Sequence, residues 1–128
     1  RALRPLRDAG VLLLASGGAT HNLALYMYAD GRDDREVPPF VAAFNEWTAK
    51  AIAGRRYDDL VRWRELAPYA AENHPTPEHL LPLFVALGAA GGEELGERIH
   101  SSYDRGLLAL DAYAFGLQPR REGEGAAH

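Results

Sequence analysis

The sequence predicts an α/β fold with a mixed central sheet flanked by helices, on three observations. Val11-Leu12-Leu13-Leu14-Ala15 is a short continuous apolar run that ends in Ser16-Gly17-Gly18, the pattern of a strand buried on both faces. Phe40, Ala43, Phe44, Trp47 and Ile52 recur at helical spacing. Two later segments, Glu97 to Tyr103 and Leu107 to Tyr113, read as further strands. A chain of 128 residues suits one domain of ordinary size.

Residues Arg1 to Ala9 read as the last turns of a helix that Gly10 stops. The loop Ser16 to His21 then lies at the carboxyl end of the Val11–Ala15 strand, the place where open α/β sheets bind ligands. Asp30 to Pro39 is polar and carries Gly31, Pro38 and Pro39, so it is a loop. Pro39 to Ala53 is the amphipathic helix, and Tyr57 to Leu66 a second, shorter one. In these, Trp47 and Trp63 read as core residues. Asn73-His74-Pro75-Thr76-Pro77 is a stiff turn, because each proline fixes its own φ and pushes the preceding residue towards extended backbone. Thr76 as N-cap and Pro77 at the first helical position start a helix that runs to Leu87 and ends at Gly88. Pro119 to His128 is expected to be a disordered tail, leaving residues 1–118 as the domain.

Hydrophobic residues make up 47% and charged residues 25%, which excludes an intrinsically disordered chain. Fourteen Lys and Arg against eighteen Asp and Glu give a net charge of −4, and no basic run occurs. The electrostatic footprint of a nucleic-acid binder is therefore missing. No apolar stretch is long enough to span a bilayer and no signal-peptide pattern opens the sequence, so no membrane partner is expected. The absence of cysteine excludes disulfides, thiolate metal sites and Cys nucleophiles, and fits a reducing cytoplasm. Any metal must be held by His, Asp or Glu.

Five histidines exist. His128 is terminal, and His100 reads as a partly exposed strand residue. His74 and His79 are five positions apart across two prolines, which is not the i, i+4 geometry of a helical zinc motif. His79 by itself reads as a helix-start residue that caps the helix or faces solvent. His21 is the stronger positional candidate, since it follows a glycine-rich loop where backbone can approach a ligand. Ser16 lacks the first glycine of a Gly-x-Ser-x-Gly nucleophile elbow, and neither a Rossmann fingerprint nor a Walker loop occurs.

Several segments together resemble one family. Ala15-Ser16-Gly17-Gly18-Ala19-Thr20-His21-Asn22-Leu23 is similar to the G-S-G-x-x-T/V-H-N-L segment of class III extradiol ring-cleavage dioxygenases, in the DOPA-dioxygenase-like branch of the LigB superfamily. Asn73 to Leu83 resembles the N-x-P-T-P-E-H-x-x-P-L segment of that branch, and Asp111 to Gly116 its D-A-Y-x-F-G ending. Phe44 to Trp47 and Trp63 to Pro68 fall where the family has a helix and a W-x-x-x-A-P element. The resemblance runs through most of residues 10–117.

The resemblance implies a non-haem metal site, usually Fe(II) and in some members Zn(II), that opens a catechol-type ring with O₂. Carried over by motif, His79 is a metal ligand. His21 is the acid/base catalyst beside the metal and in some members a ligand too. Two departures stand out: Gly106-Leu107-Leu108-Ala109-Leu110-Asp111 replaces G-S-L-S-M-D, and Gly17-Gly18 stands where Ser or Asn is often seen. Family members are about twice as long, with further metal histidines in an amino-terminal half. The expectation is therefore the carboxy-terminal half of the family fold, inactive when alone, whose partners are that half or a second copy. The alternative is a truncated half-domain serving as a binding or assembly module.

Overall fold

The computed structural model describes residues 2–29 and 36–117. The tail expected over 119–128 and most of the loop expected from Asp30 lie outside them.

The longest element explains the rest. Helix α1 (Arg4–Asp8) and helix α2 (Leu23–Tyr28) precede helix α3 (Pro39–Ala53), which has the bounds its periodicity predicts. One face of α3 is fully buried, through Val41, Phe44, Asn45, Thr48, Ala51 and Ile52. Against it pack α4 (Tyr57–Val61), α5 (Trp63–Leu66), α6 (Ala70–Asn73) and α7 (Leu81–Ala90). Phe44, Trp63, Ala67, Ala70 and Leu80 form one core cluster, and Ala51, Ile52 and Leu60 a second. Trp47 packs against both, so the two tryptophans are core residues, as their spacing predicts.

The helix expected over Tyr57–Leu66 is broken in two at Arg62, where the backbone opens to φ −96° and ψ 23°. The helix expected from Pro77 to Leu87 instead starts at Leu81 and continues through Gly88 to Ala90. Residues 77–80 form a tight turn, with the Leu80 and Leu81 amides donating to the Pro77 carbonyl. The helix proper begins with Pro82 in its first turn, where a missing N–H costs nothing.

The expected mixture of helix and strand holds, with the strands in two small antiparallel sheets. Strand β1 (Gly96–His100) is followed by β2 (Tyr103–Asp104), β3 (Leu108–Ala109) and β4 (Ala112–Phe115). β1 pairs with β4 from Gly96↔Phe115 to His100↔Ala112, with an irregularity between Arg98 and His100. β2 and β3 make a hairpin whose turn residues Arg105 and Gly106 have φ of 48° and 66°, as a type I′ turn requires. Each long strand expected from sequence is thus cut into two short ones.

Val11–Ala15 is not the buried strand expected. The segment has no strand assignment, and Leu12 and Leu14 are 88% and 90% exposed. A strand buried on both faces needs neighbours on both edges to take its N–H and C=O groups. Among the described residues no strand pairs with it.

Candidate functional site

Residues 17–22 lie one residue beyond that segment, and every one of them is tied down. Gly17 lies so close to the turn before α7 that a Cβ there would sit 2.3 Å from the His79 carbonyl oxygen. The Gly18 amide donates to that same carbonyl at 2.8 Å. The Ala19 carbonyl accepts from His74 Nε2 at 2.9 Å. Thr20 is buried; its hydroxyl donates to the Leu107 carbonyl and accepts from the Ala109 amide at 2.9 and 2.7 Å. The His21 amide donates to the Asn73 carbonyl at 2.9 Å. Asn22 then caps α2, accepting from the Leu25 amide, while its own side-chain amide donates to the Glu72 carbonyl. Glycine gives the close approach, threonine the anchor and asparagine the cap, which leaves the histidine between them to the site.

The bracing brings together two residues 58 positions apart in sequence. The His21 and His79 rings stack with centroids 3.4 Å apart and planes 19° from parallel. Burial, and then the neighbouring His79, holds the His21 imidazole below its ordinary pKa of 6.5, so it is neutral near pH 7. Glu78 places a carboxylate oxygen 3.7 Å from His79 Nε2. A hydrogen bond from the Thr76 hydroxyl holds the Glu78 carboxyl below its ordinary pKa. His79 also lines a cleft of about 340 Å³, together with Leu14, Gly17, Leu83, Tyr113 and Phe115.

The D-A-Y segment forms another wall of this cleft. The Asp111 carboxylate is buried, accepting from Ser101, Tyr113 and Arg98 at 2.9, 3.1 and 3.3 Å. Burial and the adjacent carboxylate push the Tyr113 hydroxyl well above its ordinary pKa, so it remains a donor.

Of the other histidines, His100 sits exposed at the end of β1 against Ser102, as its strand position suggests. His128 lies outside the described residues. His74 is the residue that sequence reasoning passes over. It is fully buried and touches the loop that carries His21, yet its acceptor is a backbone carbonyl 55 residues earlier, which leaves no mark in the sequence.

Residues 1–115 match the family described as the catalytic LigB subunit of aromatic ring-opening dioxygenase. The chain belongs to the LigB family. This LigB-family chain is 40% identical over 116 residues to a 4,5-DOPA dioxygenase extradiol of Beta vulgaris, covering 90% of this chain and 41% of that protein. It is 39% identical over 117 residues to the protein of the same name from Portulaca grandiflora, with the same coverage. A crystal structure of an uncharacterized Escherichia coli K12 protein superposes with a TM-score of 0.71 at 31% identity, over 87% of this chain and 45% of that one. The chain thus spans about two fifths of the length of the curated relatives it matches.

Two imidazoles on separate segments suit an Fe(II) or Zn(II) ion as part of its donor set. Among the described residues no group of three His, Asp or Glu side chains converges.

Proposed function

We propose that residues 1–118 are the carboxy-terminal part of a metal-dependent dioxygenase that opens a catechol-type ring with O₂, incorporating both oxygen atoms. The His21–His79 stack, whose His79 lines a largely apolar cleft, carries this reading. His79 would be a metal ligand, and His21 the acid/base catalyst beside the metal. When bound, the metal supplies Lewis acidity towards the catechol oxygens and, as Fe(II) rather than redox-inert Zn(II), electrons for O₂. His21, held neutral by burial, takes a proton from a catechol hydroxyl and returns it as the ring opens. Leu83, Tyr113 and Phe115 present the aromatic-sized, largely apolar wall that excludes water from the ring. The remaining metal ligands would come from an amino-terminal half or a second copy. The cysteine-free composition suits a reducing cytoplasm.

The test uses the full-length protein that contains this chain. His79→Ala should lower bound metal to background and abolish ring opening of a catechol. His21→Ala should keep its metal but lose turnover by about 10²–10⁴-fold, the usual share of general acid–base catalysis. Unchanged turnover in His21→Ala would remove the proton role assigned to it.

A second reading, a catalytically inactive half-domain that serves in assembly, draws on one observation. Leu12 and Leu14 stand almost fully exposed on a segment that no strand among the described residues pairs with, an arrangement that invites a partner strand. Metal content separates the two readings, since an assembly module needs none.

A further inference from the structure

We propose that His74 is a positioning residue, which holds the His21 loop in register with His79 by donating Nε2–H to the Ala19 carbonyl. The inference rests on the dioxygenase reading only for its kinetic consequence; the geometric part stands by itself. The His74 ring has no solvent exposure and lies between Phe44 and Trp63, with centroid distances of 5.3 and 5.6 Å. Its Nε2 is 2.9 Å from an oxygen that can only accept, so Nε2 carries the proton. Nδ1 is buried and has no hydrogen-bond partner among the described residues. A ring needed only to fill space between two aromatics would be better served by phenylalanine, which leaves no buried nitrogen unpaired.

The position of the contact gives the half-satisfied imidazole its use. Asn73 and His74 grip the loop on both sides of Thr20: the Asn73 carbonyl accepts from the His21 amide, and His74 holds the Ala19 carbonyl. The grip itself is anchored. Asn73 Nδ2 donates to the Phe40 and Tyr69 carbonyls, and the Arg64 guanidinium donates to the His74 carbonyl while stacking 4.7 Å over Trp63. His79 follows only five residues later, on the same turn. One dipeptide therefore sets the distance between the two histidines of the site. A residue of this kind orients the groups that do chemistry without touching substrate.

The experiment compares His74→Phe, His74→Asn and His74→Gln in the full-length protein. Phenylalanine keeps the ring and removes the donor, asparagine keeps an amide too short to reach Ala19, and glutamine places an amide N–H near the position of Nε2. Two readouts are taken, steady-state kinetics on a catechol and amide hydrogen exchange. Phenylalanine and asparagine should lower kcat by roughly 10–100-fold with KM within about twofold, and glutamine should recover most of it. The His21 amide should exchange at least about tenfold faster in the first two and at the wild-type rate in the third, while Phe44 and Ile52 amides stay protected in all. If His74→Phe fails to fold, the asparagine–glutamine contrast decides by the same readouts. Wild-type exchange and kcat in the phenylalanine or asparagine variant, or no recovery with glutamine, would overturn the assignment. A wild-type protein that opens no catechol ring would overturn the dioxygenase reading instead, and the exchange comparison would still decide the role of His74.

Discussion

Residues 11–15 and 17–22 are neighbours in sequence with opposite fates. The first segment is wholly apolar, yet Leu12 and Leu14 face solvent at 88% and 90% exposure. The second is made of small and polar residues, yet Thr20 is 1% exposed and every residue from Gly17 to Asn22 has a bond or close contact to another segment. Apolar character creates a demand for burial; only partners meet it. The polar loop has partners within this chain, namely the His79 carbonyl, His74, the β3 backbone and Asn73. The apolar run, among the described residues, has no strand beside it.

Breaking the loop should give the largest effect. Gly17→Ala would place a Cβ 2.3 Å from the His79 carbonyl oxygen and 3.0 Å from Pro82 Cγ. Neither neighbour is the free end of a flexible side chain, so the loop or the turn before α7 must move. Overpacking of this kind costs roughly 1–3 kcal/mol. Because the displaced atom belongs to His79 itself, the stacked pair should separate as well. Urea denaturation would show a lower midpoint with an unchanged slope, and metal affinity of the full-length protein should fall with it. A variant as stable as wild type, with the same metal content, would mean that the close approach does not control the site.

The same contrast explains what was legible in the sequence. Helix α3 was readable to the residue because its amphipathic pattern and its Pro39 start are local properties. Val11–Ala15 was misread because double-sided burial depends on strands elsewhere, and the run of Val and Leu records only the demand for them. The α7 start was misplaced because Thr76 and Pro77 carry a correct N-terminal signature, whereas the turn over 77–80 is a tertiary outcome that packs Leu80 into the core. His21 stands out by its place after a glycine-rich loop, whereas its pairing with His79 is legible only through motif resemblance, since 58 residues separate them and no spacing rule joins them. His74 stayed hidden because its partner is a main-chain oxygen. Glycine 17 was visible as a motif position, but its reason, the His79 carbonyl, was not.

A smaller effect sharpens the role of the buried brace. Burial holds the His74 pKa below its ordinary value of 6.5, with the Ala19 contact acting in the opposite direction, and His21 is lowered too. The folded chain therefore binds fewer protons than the unfolded chain once the pH drops below about 6.5. Stability is complete above that value and falls as the solution is acidified towards the folded-state pKa, by at most about 1.4 kcal/mol per pH unit for the buried His74 and by less for the more exposed His21. Glu78, whose pKa is lowered from 4.5, contributes only at more acid pH. Urea midpoints at pH 7.5 and 5.5 should differ in the wild type and differ less in His74→Phe, which has nothing to protonate at that site. Equal pH dependence in the two proteins would show that His74 is not the group being charged.

The smallest effect on stability, and the most direct test of the other segment, comes from placing lysines at Leu12 and Leu14 together. Both side chains already face water in this chain, so their replacement should change its unfolding free energy by no more than about 0.5 kcal/mol. Lysine also blocks the edge of an unpaired strand, because a second strand arriving there would have to desolvate the ammonium groups. If the segment serves in assembly, sedimentation velocity should show the wild-type chain self-associating with rising concentration and the double variant remaining monomeric. If both sediment as monomers at all concentrations, the apolar run does not pair with itself, and self-assembly ceases to be a use for it. The loop variant and the strand variant thus separate along the line that divides the two regions. One loses stability and the site while its surface is unchanged; the other keeps its stability and changes only what its surface can hold.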